Sequence, residues 1–264
     1  MKQYKTIFIS DVHLGTRDCK ASQLNNFLRE NSCETLYLVG DIIDGWRIQQ
    51  NKWMWKQPHS NVIRRILKLA KEGTNVVYIA GNHDEFLRPF MSYGIDFANI
   101  QIKNQTTHHG IDGKRYLVTH GDLFDGITRV HKWISFLGDK AYDMILRFNT
   151  WFNFVRRKLG FGYWSLSKYL KHRVKGAVDF IFEFETNLAG YCEKRGFDGV
   201  ICGHIHHAEI KEIDGVVYMN DGDWVESMSA LVEHHDGTWE IVYWSKESEN
   251  EDDDIADNSN EDNQ

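Results

Sequence analysis

The chain has 264 residues, 42% of them hydrophobic and 26% charged, the proportions of an ordinary soluble globular protein with one large or two small domains. Only Pro58 and Pro89 occur, so no proline-rich linker divides it, and no apolar run approaches the length that spans a bilayer. Nine of the 38 acidic residues, against one of the 31 basic ones, follow position 245, so the rest of the chain is near neutral and lacks the broad basic surface that nucleic acid requires.

The first expected strand covers 4–10, with no charged-then-apolar leader before it. A helix follows near 20–31, where Leu24, Phe27 and Leu28 recur at helical spacing, then a strand at 35–40. Val62, Ile63, Ile66, Leu67 and Ala70 mark an amphipathic helix near 59–72, and the β-branched run from Val76 predicts a strand over 76–80. A short irregular stretch is expected next, then a strand at 115–119. This alternation implies βαβ units and a mostly parallel sheet, an α/β core. Residues 126–195 read as a helical insertion with Trp133, Trp151 and Trp164 and a basic cluster that includes Arg156, Arg157, Lys168 and Lys171. Strand 198–202 resumes the core. Segments near 208–213, 216–220, 228–234 and 238–244 are expected as antiparallel strands, with hairpin turns at Asp214-Gly215 and Asp236-Gly237. One domain over 1–245 and an acidic, disordered tail over 246–264 complete the layout. The four cysteines lack any CxxC spacing and fit a reducing, cytoplasmic compartment.

Five strand ends carry groups that bind metals: Asp11-Val12-His13, Gly40-Asp41, Asn82-His83, His120-Gly121-Asp122 and Gly203-His204-Ile205-His206. Alternate residues of extended chain face one side, so both members of Asp-x-His and His-x-His can point at one site. Groups beyond the carboxyl ends of strands in an α/β sheet converge on one crevice. Three carboxylate or amide oxygens and four imidazoles exceed the needs of one ion, and a set without thiolate suits Mn²⁺, Fe or Zn²⁺. Two ions about 3.5–4 Å apart would use the set fully, with Asp41 as the bridge. His83 is placed to meet a phosphoryl oxygen or protonate a leaving group, and Asp84 to hold its imidazole. Asp44 is expected to orient a ligand, while His108-His109 and His234-His235 are expected at the surface.

The series Asp11-x-His13, Gly40-Asp41-x-x-Asp44, Gly81-Asn82-His83-Asp84, His120-Gly121 and Gly203-His204-x-His206 resembles the calcineurin-like metallophosphoesterases. The resemblance implies a β-sandwich flanked by helices. It implies one metal on Asp11, Asp41 and His206 with His13 close by, and a second on Asp41, Asn82, His120 and His204. It also makes His83 the catalytic histidine with Asp84 as its partner. Within that superfamily the Asp-Val-His-Leu-Gly opening and the insertion after Asp122 are most similar to UDP-2,3-diacylglucosamine hydrolases of lipid A synthesis, which release UMP and 2,3-diacylglucosamine 1-phosphate. Their best-known members carry Arg where this chain has His83. A lid of aromatic and basic residues suits an acylated, anionic substrate and contact with an anionic membrane surface. Asn82, His83, Asp122, Arg156, Arg157, Lys168 and Lys171 are the expected substrate contacts.

Overall fold

The computed structural model describes the backbone of residues 2–50, 52–91, 96–97, 100–124 and 166–244, and the side chains of 2–50, 52–89, 100–124 and 179–244. The chain divides into two compact units, residues 1–122 with 189–264, and residues 123–188.

The first unit is built on two sheets. Strands β1 (Lys2–Ile9), β2 (Asn31–Val39), β3 (Asn75–Ile79) and β5 (Ile100–Lys103) run parallel in a seven-stranded sheet. The two-residue β4 (Asp96–Phe97) edges it on one side, and β11 (Ser229–Glu233) and β12 (Trp239–Tyr243) on the other, all antiparallel. The second sheet has the order β6 (Gln105–His109), β7 (Arg115–Thr119), β8 (Gly199–Cys202), β10 (Val216–Asn220), β9 (Glu209–Ile213).

The period-two alternation of the strands sorts their side chains into two cores. Ile7 and Ile9, Leu36 and Leu38, Val76 and Tyr78 pack under helices α1 (Ala21–Glu30) and α3 (Gln57–Lys71), meeting Leu24, Phe27, Leu28, Val62, Ile66 and Ala70. The residues between them, Phe8, Tyr37, Val39, Val77 and Ile79, face Tyr116, Val118, Ile201 and Met219 of the second sheet. Phe8 and Tyr37 stack with centroids 4.7 Å apart in that inner layer. The result is a sandwich whose seven-stranded sheet carries helices on its outer face, a mixed α/β fold. Each fully buried Leu, Ile or Phe contributes about 1.5–3 kcal/mol, so the two apolar layers supply the bulk of the stabilisation.

Two expectations need correction. The C-terminal strands are not one antiparallel group: β10 pairs parallel with β8 and antiparallel with β9, while β11 and β12 return to the first sheet beside β1. The stretch expected as irregular holds β4, β5 and β6. Gln105–His109 is polar throughout, so it shows no apolar alternation; pairing with β7 makes it a strand.

Beyond Asp122 the described part of the insertion is helix α5 (Leu166–Lys194), which runs from the second unit into the first. The rest of 126–165, including Arg156 and Arg157, and the tail over 246–264 lie outside the described residues. No described helix is long and apolar enough to cross a membrane.

Candidate metal centre

The loops beyond β1 and β2 travel together for four residues past the sheet. Asp11 N–H donates to the Gly40 carbonyl at 3.1 Å, His13 N–H to the Asp41 carbonyl at 2.9 Å, and Leu14 N–H to the Ile42 carbonyl at 2.8 Å. To turn their side chains inward, Asp11, His13, Asp41, His204 and His206 take positive φ angles of 51°, 52°, 54°, 70° and 54°. Residues other than glycine rarely hold that region, at a cost of about 1–3 kcal/mol each, and such strain clusters at working sites. The glycines between them make room. A Cβ on Gly81 would run into Asp41 Oδ1 and the His120 ring, and one on Gly203 into Ser10 Oγ and Asp11 Oδ2.

The five strand ends converge. Asp11, His13 and His206 form one group of facing ligand atoms, Asp41, His120 and His204 a second, and His13, Asp41 and His83 a third. Asp41 belongs to two of the three. His120 Nε2 lies 3.3 Å from Asp41 Oδ2, and His206 Nε2 lies 3.1 Å from Asp11 Oδ1.

Each carboxylate has one oxygen tied down and one left over. Asp41 Oδ1 accepts the His83 backbone N–H at 2.7 Å, and Asp11 Oδ2 accepts the His204 backbone N–H at 2.8 Å. Asp11 Oδ1, Asn82 Oδ1 and His120 Nε2 are buried and find no hydrogen-bond partner among the described residues. His120 Nδ1 donates to the Val39 carbonyl at 2.8 Å, which turns Nε2 toward Asp41. A buried polar atom without a partner costs roughly 1–3 kcal/mol, and here three of the strand ends that carry the candidate ligands each hold one. Two hard oxygens, an imidazole nitrogen and their neighbours fit a pair of divalent cations of the Mn²⁺, Fe or Zn²⁺ type.

The electrostatics agree. Burial works to raise the Asp41 carboxyl, but the imidazoles of His120, His13 and His83 outweigh it and hold it well below the usual carboxylate range. Asp11 follows the same balance, held low by His206 and His120 against burial. Burial disfavours charge on His13, yet Asp11, Asp44 and Asp41 bring it up to about 10, and Asp41 and Asp11 raise His120 far above its ordinary value. Positive charge is what this crevice is built to hold.

The partner of His83 is not the one expected. Asp84 faces away: its Oδ1 accepts the Gly81 N–H at 2.5 Å, and its Oδ2 the Ile42 N–H at 3.0 Å and the Tyr78 hydroxyl at 2.5 Å. A side chain next in sequence at a tight turn points elsewhere, and this one holds the turn together. Asp44 is the carboxylate beside the catalytic candidate, its Oδ2 3.1 Å from His83 Nδ1 and 3.5 Å from His13 Nδ1. Its Oδ1 caps helix α2 (Gly45–Gln49) by accepting the Arg47 N–H at 2.9 Å. Trp46, one residue into that helix, lies over the His83 ring with centroids 3.9 Å apart.

Asp122, expected to meet substrate, accepts at Oδ2 from Arg88 Nη2 at 2.6 Å, and Arg88 also reaches toward the Ala80 and Gly81 carbonyls. Lys168 and Lys171 fall on α5. His207 is exposed beside Glu209. His108 is no surface residue: it is buried, with Nε2 2.8 Å from Glu233 Oε2. Trp46, Arg88 and the loop Asn220-Asp221-Gly222-Asp223 carry no motif that the sequence analysis used. That loop is buried, and Asp221 reaches Ser10 beside Asp11.

Ligand clusters of this make-up at the ends of parallel strands are those of a metal-dependent hydrolase. A family model described as calcineurin-like phosphoesterase matches residues 4–208, and the chain belongs to that family. It is similar to a protein of Neisseria meningitidis serogroup B named UDP-2,3-diacylglucosamine hydrolase, 24% identical over 238 residues, 85% of this chain and 92% of that one. A protein of the same name from Porphyromonas gingivalis is 25% identical over 127 residues, and the match spans 45% of this chain and 46% of that relative. Among solved structures, a dimetal phosphatase from Danio rerio is 13% identical with a TM-score of 0.44, covering 92% of this chain and 99% of that one.

Proposed function

We propose that the chain is a dimetal phosphoesterase that hydrolyses the pyrophosphate of UDP-2,3-diacylglucosamine, or a close analogue, to UMP and a lipid sugar 1-phosphate. The observation that carries the dimetal reading is the pair of separate ligand groups, Asp11, His13 and His206 on one side and Asp41, His120 and His204 on the other, with Asp41 and His13 also facing each other in a third. The name borne by the N. meningitidis relative supports the substrate.

In this reading Asp11, His13, Asp41 and His206 hold one cation, and Asp41, Asn82, His120 and His204 the other, with Mn²⁺ preferred over Zn²⁺ or Fe. Such a pair, when bound, would clamp phosphoryl oxygens and supply hydroxide at neutral pH. His83 meets the phosphoryl or leaving oxygen with Nε2. Asp44 sits against its Nδ1 and Trp46 covers one ring face, so the imidazole has little freedom to turn. Asn82 adds an oxygen without adding charge. The helical insertion supplies aromatic and basic residues, Arg156, Arg157, Lys168 and Lys171 among them, of the kind an acylated, anionic substrate and an anionic membrane surface attract.

His83 itself favours a second reading. An imidazole in place of Arg restores the general phosphoesterase pattern and fits a soluble nucleotide or phosphosugar as substrate. A non-catalytic scaffold is disfavoured by the full ligand complement.

The test is Mn²⁺-dependent turnover of UDP-2,3-diacylglucosamine by wild type and His83→Ala, with products identified by mass. UMP and the acylated sugar 1-phosphate, lost in the variant, are expected. No turnover while bis(p-nitrophenyl) phosphate is still cleaved would discard the lipid substrate and keep the phosphoesterase.

A further inference from the structure

Two fully buried carboxylates, Asp11 and Asp221, meet at a single hydroxyl. Ser10 Oγ lies 2.6 Å from Asp11 Oδ2, 2.5 Å from Asp221 Oδ1 and 3.1 Å from the Gly222 carbonyl. A hydroxyl has one proton to donate and lone pairs to accept with. It cannot donate to both acids. One of the two short contacts therefore needs a proton from the other side.

That proton belongs on Asp221. Asp11 Oδ2 already accepts from the His204 N–H and faces a crevice of imidazoles, so it is the group that gains from staying ionised. Asp221 has less of that company, with His120 the imidazole that acts on it, and its Oδ2 is buried and finds no hydrogen-bond partner among the described residues. An ionised oxygen in that position would be costly, whereas a neutral carboxyl is tolerated. Burial acts in the same direction, pushing the Asp221 acid well above its ordinary range.

We propose that Asp221 is a positioning residue, a neutral acid that donates to Ser10, which in turn donates to Asp11 and leaves Asp11 Oδ1 alone to face a cation. The order of donors runs Asp221 to Ser10 to Asp11. The loop that carries it is anchored to the second sheet at several points. Asn220 Nδ2 donates to the Gly203 carbonyl at 2.7 Å, Asp221 N–H to the Cys202 carbonyl at 3.1 Å, and Ser229 Oγ to the Asp221 carbonyl at 2.9 Å. One loop thus sets the ligand end of β1 against the ligand end of β8. The inference rests on Asp11 being a cation ligand, and goes beyond the proposed reaction in assigning what fixes the oxygen it offers.

Mn²⁺ binding by calorimetry tests it on wild type, Ser10→Ala, Asp221→Ala, Asp221→Asn and the Ser10→Ala/Asp221→Ala double variant. Each alanine variant is expected to weaken one of two Mn²⁺ sites by about 10–100-fold and spare the other, the usual scale for a group that orients a ligand. The double variant should be no weaker than either single one, because both act through one hydroxyl. Asp221→Asn, which can still donate to Ser10, should recover most of the affinity. Infrared difference spectra should lose a protonated-carboxyl band in Asp221→Asn. Unchanged affinity in Ser10→Ala, equal loss at both sites, or additive losses would overturn the proposal. Ser10→Ala removes only one small group, so it decides the matter even if Asp221→Ala does not fold. Wild type that binds no Mn²⁺ would also overturn it. Mn²⁺ binding that behaves as expected without cleavage of bis(p-nitrophenyl) phosphate would instead discard only the proposed reaction.

Discussion

Asp44 touches two imidazoles and a helix N-terminus at once. Asp44→Asn keeps the cap but not the charge, so kcat on bis(p-nitrophenyl) phosphate should fall about 10–100-fold with little change in melting temperature. Asp84→Ala should do the reverse. It leaves two backbone N–H groups and a tyrosine hydroxyl without their acceptor, and hydrogen bonds to a charged group are worth about 1.5–3 kcal/mol each. A large drop in the denaturation midpoint is expected, and unchanged stability would refute the role assigned to Asp84. The residues that converge on the crevice were legible in the sequence because each sits at a strand end with a fixed spacing. Which carboxylate meets His83 was not, since the direction of a side chain at a tight turn depends on what the rest of the fold offers it.

Strands with apolar alternation were readable along the chain. Strand β6 was not, because it is polar throughout and shows no apolar alternation, and its buried His108 is matched only by Glu233, 125 positions away. Glu233, on β11, accepts from Thr6 on β1 at 2.9 Å, from the Ile111 N–H at 2.8 Å and meets His108 at 2.8 Å, so it links both sheets. Burial alone would raise its pKa, but His108 and the Ile111 N–H hold it below the ordinary value of 4.5. A carboxyl with a lowered folded-state pKa adds stability above its unfolded value and loses it as pH falls through the folded one. Denaturation midpoints measured between neutral pH and about pH 3.5 should therefore fall more steeply for wild type than for Glu233→Gln. Parallel curves would remove Glu233 from the acid response.

At the scale of the molecule, the strained turns and facing carboxylates gather at the crevice, and a cation that binds only the folded state stabilises it. At a concentration of about 100 Kd the gain is about 2.7 kcal/mol. A protein of this size gains about 2–4 °C per kcal/mol, so the Mn²⁺-saturated form should melt about 5–10 °C above the chelated one. Equal melting temperatures would mean that the crevice holds no cation. The sandwich could be read from the motif series as a resemblance, but the division of the C-terminal strands between two sheets could not. Hydrophobic alternation says which face of a strand is buried and nothing about which neighbour it joins.

The backbone ties on Asp41 and Asp11 have one more implication. His83 and His204 each brace a neighbouring carboxylate through the main-chain N–H, Asp41 and Asp11 respectively. Cutting either ring back to alanine therefore leaves the scaffolding upright around an empty slot, walled at His83 by Trp46 and Asp44. Free imidazole added to His83→Ala has a shaped berth waiting, so small-molecule complementation should return part of the lost phosphodiester cleavage. His83→Pro, which deletes the main-chain donor along with the ring, should stay dead at any imidazole concentration.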